Sequence, residues 1–311
     1  MIPFINQLPK HEEIIWLAAL NQRLPNEHVV AFSEIKPVEK KQVKLAIVAN
    51  PKPELLAEFE NLTWVHSVWA GVEHLMKSLT DSPIEVVRLI DPMLSSAMSE
   101  AVLAWSLYLH RDMPRYAKQQ KDKHWLQHAL IPASERRIGI LGLGELGQAC
   151  AKQLKINGFK VMGWSRTAKN ITNVSCYSGE SGLVEMAAKS DILVCLLPLT
   201  PATKWIVNKD LLAKLPQGSA IINFARGGII NTDDLLDALS SGHINHAVLD
   251  VFEHEPLNAD SALWQHPDIT ILPHISAPTN LNSACDIVAQ NIISFRETGQ
   301  VPKAVSKVNG Y

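Results

Sequence analysis

The phrase Ile138-Gly-Ile-Leu-Gly142-Leu-Gly144-Glu145-Leu146-Gly147 constrains this chain more than any other. An apolar run at 137–141 reads as a strand leading into it, and a helical pattern at 146–157 leads out. Three glycines spaced this way between strand and helix have separate tasks. Gly142 permits the tight turn, Gly144 lets backbone approach a diphosphate, and Gly147 lets the helix pack closely on the sheet. The start of the helix, with the amides of Glu145 and Leu146, then suits an anion. A plain Gly-rich turn is the bland alternative, and the matching flanks count against it.

Strand patterns continue at 159–165, 191–197, 220–224, 246–251 and 269–272, with helical patterns at 182–189, 209–215 and 232–240. Gly158 and Gly242 fall where left-handed helix ends are expected. Six strands with helical crossovers describe a doubly wound, Rossmann-type domain. The first hundred residues also alternate, with strands expected at 28–32, 43–48, 63–68 and 86–90 and helices at 12–22 and 53–60. That alternation predicts a second, smaller α/β domain with a mostly parallel sheet. An Ala-, Leu- and Trp-rich helix at 98–110 leads from one to the other. A last apolar helix, 282–297, ends at Gly299 and is expected to pack back on the first domain. The expected division is therefore 1–103 with 277–311, and 104–276.

The chain has 311 residues, 47% hydrophobic and 19% charged, enough for two well-filled cores. A net charge of −2 offers no electrostatic case for nucleic acid or an anionic membrane. The first ten residues have no basic stretch and no long apolar core, so no signal peptide is expected, and no run has the length of a membrane span. Cys150, Cys176, Cys195 and Cys285 form no CxxC pair and lie near no histidine at ligand spacing. Free thiols, no metal and a cytoplasmic location are expected.

The second strand of the nucleotide domain runs into Trp164-Ser165-Arg166-Thr167-Ala-Lys169. A carboxylate at the Ser165 position would accept bonds from an adenosine ribose, as in NAD enzymes. Here a hydroxyl stands there and a guanidinium follows, which are donors for a 2′-phosphate. NADP(H) is therefore favoured, with NAD(H) as the alternative. Arg166 as a solvated loop residue is the bland reading, and Lys169 is a weaker second cation.

Three charged or titratable residues follow buried-looking strands farther on. Arg226 lies in Asn-Phe-Ala225-Arg-Gly-Gly, Glu255 in Asp250-Val-Phe-Glu-His-Glu-Pro, and His274 in Leu-Pro-His-Ile-Ser. In an open α/β sheet, ligands bind beyond the carboxyl ends of strands. An arginine there can pair with a substrate carboxylate and polarise its carbonyl. A carboxylate beside a histidine favours the imidazolium, the proton-donating form. Asp250 at a buried strand end is costly unless bonded. A nicotinamide carboxamide is one partner for it and a backbone cap is the other. In the first domain, Ser67-Val-Trp69-Ala70-Gly71-Val72-Glu73 follows a strand, and the small residues leave amides open to an anion. A simple strand–helix turn explains that segment equally well.

Together these phrases resemble the D-2-hydroxyacid dehydrogenase family over nearly the whole chain. The resemblance rests on the glycine fingerprint, Ala225-Arg226-Gly227, the phrase from Leu249 through Glu255-Pro256-Leu257, and Pro273-His274-Ile275, in the family's order. Within the family the chain looks like the bacterial glyoxylate/hydroxypyruvate reductase A group, on Trp164-Ser165-Arg166, Leu196-Leu197-Pro198 and the terminal Gly310-Tyr311.

The resemblance implies a Rossmann-type cofactor domain and a smaller flavodoxin-like domain, with a cleft between them, in a homodimer. It implies that Arg226 binds a small 2-oxo acid, that His274 is general acid, and that Glu255 holds His274. It implies cofactor contacts at Gly142, Gly144, Glu145, Leu146, Gly147, Ser165, Arg166, Thr167, Leu197, Pro198, Ala225 and Asp250. Substrate contacts are implied at Trp69, Ala70, Gly71 and Val72, with Trp69 narrowing the pocket. One departure is Glu73, where many relatives have Asp. An NAD-linked dehydrogenase for another 2-hydroxy acid and a catalytically idle dinucleotide sensor are the rival readings. The three catalytic residue types and the lack of a long polar extension weigh against the sensor.

Overall fold

The computed structural model describes residues 1–307, so the Gly310-Tyr311 phrase lies outside the described residues. The chain divides into two compact units, Met1–Met93 with Thr279–Tyr311, and Leu94–Pro278. The expected boundary at 103 and this division both fall within one helix, Pro92–His110.

The first unit runs β1 (Ile2–Asn6), α1 (Lys10–Arg23), β2 (Val29–Ala31), α2 (Pro37–Lys40), β3 (Leu45–Ala49), α3 (Pro53–Leu56), β4 (Trp64–Ser67), α4 (Glu73–Ser78) and β5 (Glu85–Val87). Its sheet has the order β2-β1-β3-β4-β5, and every pair is parallel. This is the flavodoxin-like order. Strands covered on both faces read as unbroken apolar runs, as Leu45-Ala-Ile-Val-Ala49 does. Alternate residues then serve opposite faces. Ile47 and Trp64 join Trp16 and Leu20 of α1, while Ala46, Val48 and Val65 join Leu56, Leu75 and Met76. β1 has no counterpart among the expected strands. Pro3 lies within it, and a proline counts against a central strand because it lacks an N–H for the ladder.

Helix α5 (Pro92–His110) crosses the division between the units. It starts six residues before the expected 98. Asp91 Oδ1 accepts the Met93 amide at 2.8 Å, and Pro92 suits a first helical position. The apolar spacing visible in the sequence begins only farther along. There follow α6 (Met113–Lys121), β6 (Arg137–Leu141), α7 (Glu145–Ile156), β7 (Lys160–Ser165), β8 (Ser175–Ser178), α8 (Gly179–Ala187), β9 (Ile192–Cys195), α9 (Lys209–Leu212), β10 (Ser219–Asn223), α10 (Thr232–Ser240), β11 (Ile244–Leu249) and β12 (Ile269–Ile271).

This sheet has the order β12-β11-β10-β9-β6-β7-β8, again parallel throughout. It has seven strands where the sequence predicts six. The extra one, β8, is Ser-Cys-Tyr-Ser at the sheet edge, without an apolar run to announce it. Strand order reverses between β6 and β9, the place where open α/β sheets bind ligands at their carboxyl ends.

Last comes α11 (Leu281–Thr298), capped by Asn280 and ended by Gly299 at φ +72°. It returns to the first unit and packs Ala284, Cys285, Val288 and Ile292 beside Ile2, Phe4 and Trp64. His66 on β4 ties down this helix. Its Nε2 accepts from the Asn291 side-chain amide at 2.8 Å, and its Nδ1 donates to the Ser67 carbonyl at 2.9 Å. Among the described residues no helix is long and apolar enough to cross a membrane, and no group of three or more His, Cys, Asp and Glu could hold a metal ion. Burial pushes the Cys150 and Cys195 thiols up to about 12 and Cys285 to about 11.

Burial also pushes His66 down to about 4, against a smaller opposing effect of its Ser67 bond. His246 on β11 is lowered to about 4, again by burial first. Both fold in the neutral form, whereas the unfolded chain takes up their protons near 6.5. Stability is thus complete above that value and falls as pH drops toward 4, by up to about 3 kcal/mol for each histidine. Urea unfolding at pH 7, 6, 5 and 4.5 should show the decline, and His66→Gln should flatten part of it.

Candidate active site

The glycine turn at the end of β6 is built for close approach. Gly142 has φ +106°, and a β-carbon on it would lie 2.8 Å from the Leu196 carbonyl oxygen. A β-carbon on Gly147 would overlap the Gly142 carbonyl. Gly144 differs, for a β-carbon there would meet nothing within 4 Å. It is the N-cap of α7 and supplies no side-chain cap, so the first-turn amides receive no bond from a capping side chain. Open space above uncapped amides at a helix start fits a diphosphate. Glu145 is exposed, Leu146 half-buried and packed on the core, and Leu197 buried in the other core. Any role for Leu197 at the cofactor therefore runs through its backbone. Pro198 is half-buried and Ala225 buried.

Ser165 closes β7, and its hydroxyl donates to the Thr167 carbonyl at 2.9 Å. It would have to leave that bond to donate to a phosphate. Arg166 and Thr167 are exposed. Lys169 turns back to the glycine loop and donates to the Leu143 carbonyl at 2.7 Å. The weaker of the two expected cations is thus the one seated on the glycine turn.

Arg226 follows β10 in extended backbone, ahead of a 3-10 turn, Gly227–Ile229. Its Nη1 donates to the Ala225 carbonyl at 2.6 Å. Asn223, buried at the strand end, braces the loop from both sides. Its amide nitrogen donates to the Arg226 carbonyl at 3.1 Å, and its oxygen accepts the Ala225 amide at 3.2 Å. A β-carbon on Gly227 would fall inside the backbone of Phe252 and Glu253. The arginine loop therefore rests directly on the loop that carries Glu255.

Glu255 faces two ways. Its Oε1 accepts the Phe252 amide at 2.8 Å, and its Oε2 meets His274 Nδ1 at 2.7 Å. His274 has φ +56°, an uncommon conformation held by its surroundings. Much of that hold comes from Asp250, which is 2% exposed. One of its oxygens accepts the Ile275 amide at 2.7 Å and the other the Ser276 amide at 2.9 Å. The backbone cap, left open by the sequence, is thus present. Bonded at Nδ1, His274 leaves Nε2 as the nitrogen able to exchange a proton with a ligand.

The segment 69–72, which the sequence leaves open as an anion loop or a plain turn, belongs to the first unit. Trp69 is half-buried, its amide accepted by Ser67 Oγ at 3.0 Å and its ring edge-on to Trp16 at 5.7 Å. Part of that indole therefore serves the core. Ala70 and Gly71 are half-buried, and Val72 is buried at the start of α4.

Asn223 has no role in the sequence reading, although a polar residue ending the run Ser219-Ala-Ile-Ile is a visible signal. The cover over Gly227 had no such signal, because it depends on a loop 25 residues away. Gly227→Ala should part the two loops and lower turnover at least about tenfold, with the fold retained by circular dichroism. Unchanged steady-state kinetics would refute the contact's importance.

A model of the D-isomer specific 2-hydroxyacid dehydrogenase NAD binding domain matches residues 103–276. Three solved structures are similar along their whole length. A D-isomer specific 2-hydroxyacid dehydrogenase from Xanthobacter autotrophicus, in complex with NADPH and MES, is 35% identical, covering 100% of this chain and 99% of that one, at a TM-score of 0.92. The NADPH-dependent glyoxylate/hydroxypyruvate reductase SmGhrA from Sinorhizobium meliloti, in complex with NADP and sulfate, is 33% identical over 100% of both chains, at 0.89. A D-isomer specific 2-hydroxyacid dehydrogenase family protein from Klebsiella pneumoniae is 33% identical, covering 99% of this chain and 98% of that one, at 0.88. The glycine turn, the two parallel sheets and these likenesses agree: the chain belongs to the D-isomer specific 2-hydroxyacid dehydrogenase family and is an NAD(P)-dependent oxidoreductase.

Proposed function

We propose that the protein uses NADPH to reduce glyoxylate to glycolate and hydroxypyruvate to D-glycerate. The observation that carries this reading is the 2.7 Å bond between Glu255 and His274 Nδ1, at the strand ends of a dinucleotide-binding unit. Bound NADPH supplies a hydride to the carbonyl carbon. Arg226 pairs with the substrate carboxylate and draws charge onto the carbonyl oxygen. His274 gives that oxygen a proton from Nε2, and takes it back in the oxidative direction. Glu255 fixes the ring through its 2.7 Å bond to Nδ1. The backbone at 70–72 of the first unit is assigned to the substrate carboxylate, and the second unit to the cofactor.

The cofactor preference rests on the missing carboxylate at Ser165, on Arg166 and Lys169, and on the NADPH- and NADP-bound relatives. The choice of substrates rests on the reductase from Sinorhizobium meliloti. A cytoplasmic homodimer completes the reading. Trp125, Leu126 and Leu130, at 96%, 60% and 66% exposure, form an apolar arm after α6 that supports a second copy.

Purified protein should oxidise NADPH when glyoxylate is added. His274→Asn should lower kcat by about 10²–10⁴-fold, and Arg226→Gln should lower kcat and raise KM. Wild-type turnover in both variants would sink the assignment. Arg166→Glu should weaken kcat/KM for NADPH by about tenfold or more and spare NADH. An unchanged NADPH/NADH ratio would remove Arg166 from cofactor selection.

A further inference from the structure

Trp205 lies outside the proposed catalytic set, yet its bonds run into two of the three loops that carry it. Its backbone is left-handed, at φ +52°, which a bulky aromatic adopts only when its surroundings compel it. Its amide donates to the Gly228 carbonyl at 2.8 Å, two residues beyond Arg226. Its indole Nε1 donates to Glu253 Oε1 at 2.7 Å, two residues before Glu255. The neighbouring segment follows the same alignment. Val207 donates to the Ile229 carbonyl at 3.1 Å, and Asn231 donates to the Val207 carbonyl at 3.0 Å. Upstream, Thr203 Oγ1 donates to the Pro198 carbonyl at 2.6 Å and accepts the Thr200 amide at 2.8 Å, shaping the turn before Trp205. Lys204 Nζ sits 4.2 Å from the indole centroid. Trp205 is 42% exposed, so burial does not explain its strained backbone.

We propose that Trp205 is a positioning residue, a strut that bonds the Arg226 loop to the loop of Glu253 and Glu255. Its role in turnover rests on the catalytic reading of Arg226, Glu255 and His274 given above. At Gly227 the two loops touch backbone to backbone, and at their bases the Asp250 amide donates to the Asn223 carbonyl at 3.1 Å. The strut adds one directional bond to each side. An error of about 1 Å between an anion-binding arginine and a proton donor costs rate steeply.

Four variants test this: Trp205→Phe, which keeps the ring without its N–H, Glu253→Ala, Glu253→Gln, which keeps an acceptor, and the double variant Trp205→Phe/Glu253→Ala. Each single loss should lower kcat roughly three- to tenfold and change KM less. Glu253→Gln should restore most of the rate, and the double variant should be no worse than Trp205→Phe alone. Unchanged kcat in both single-loss variants, or effects that multiply in the double variant, would overturn the proposal.

Amide hydrogen exchange supplies a readout that needs no turnover. Peptides covering 225–230 and 252–256 should exchange faster in Trp205→Phe and Glu253→Ala but not in Glu253→Gln, and unaltered exchange in all three would equally overturn the strut. Faster exchange beside full turnover in His274→Asn would uphold the strut and reject the catalytic assignment instead.

Discussion

The buried carboxylate of Asp250 anchors the turn on which His274 stands. A carboxylate at 2% exposure must be satisfied by donors, and the Ile275 and Ser276 amides supply them. Those two bonds join the end of β11 to the turn after β12. His274 stands immediately before them, in a backbone conformation it would not hold alone. With its ring bonded to Glu255 on one side and its backbone followed by anchored amides on the other, the histidine has little freedom left. Rigid support of this kind is what a proton donor needs, because misplacement costs rate more steeply than stability.

The same logic extends across the neighbouring strand ends. Asn223 braces the arginine loop, Gly227 lets it touch the glutamate loop, and Trp205 bonds to both. These loops gather at the carboxyl ends of β9, β10, β11 and β12, where parallel strands deliver their following turns to one edge. Three chemically different side chains thus share one platform without being near in sequence. Backbone-to-backbone contact carries part of this arrangement, which is why a glycine matters here as much as the charged residues.

Much of this was legible beforehand. β6 and α10 occupy the expected residues, and Gly158 and Gly242 have the positive φ that helix ends require. Long apolar runs covered on both faces leave little ambiguity of period. Short or atypical strands were invisible: β1 contains a proline and β8 is polar. At the site, residue types and strand-end positions could be read, because a charge after a buried run stands out. The braces could not. The bonds of Asp250 to the turn after β12, of Lys169 to Leu143 and of Trp205 to Glu253 depend on which turns the fold brings together. Ser165 adds a local bond to these, its hydroxyl donating to the Thr167 carbonyl within its own loop.

Helix α11 has a consequence for how the molecule comes into being. The core face that holds Ile2, Phe4, Trp16 and Trp64 is completed by Ala284, Cys285, Val288 and Ile292. Buried side chains such as Val288 and Ile292 contribute about 1.5–3 kcal/mol each, so the first unit without this helix lacks a share of its stabilisation. A ribosome makes the N-terminal portion first, yet that portion must wait with one side of its sheet uncovered while the whole second unit is synthesised. The continuous second unit is the part that can finish first. The earliest residues of the chain are therefore among the last to be sealed, and in that interval they are exposed to chaperones or to one another.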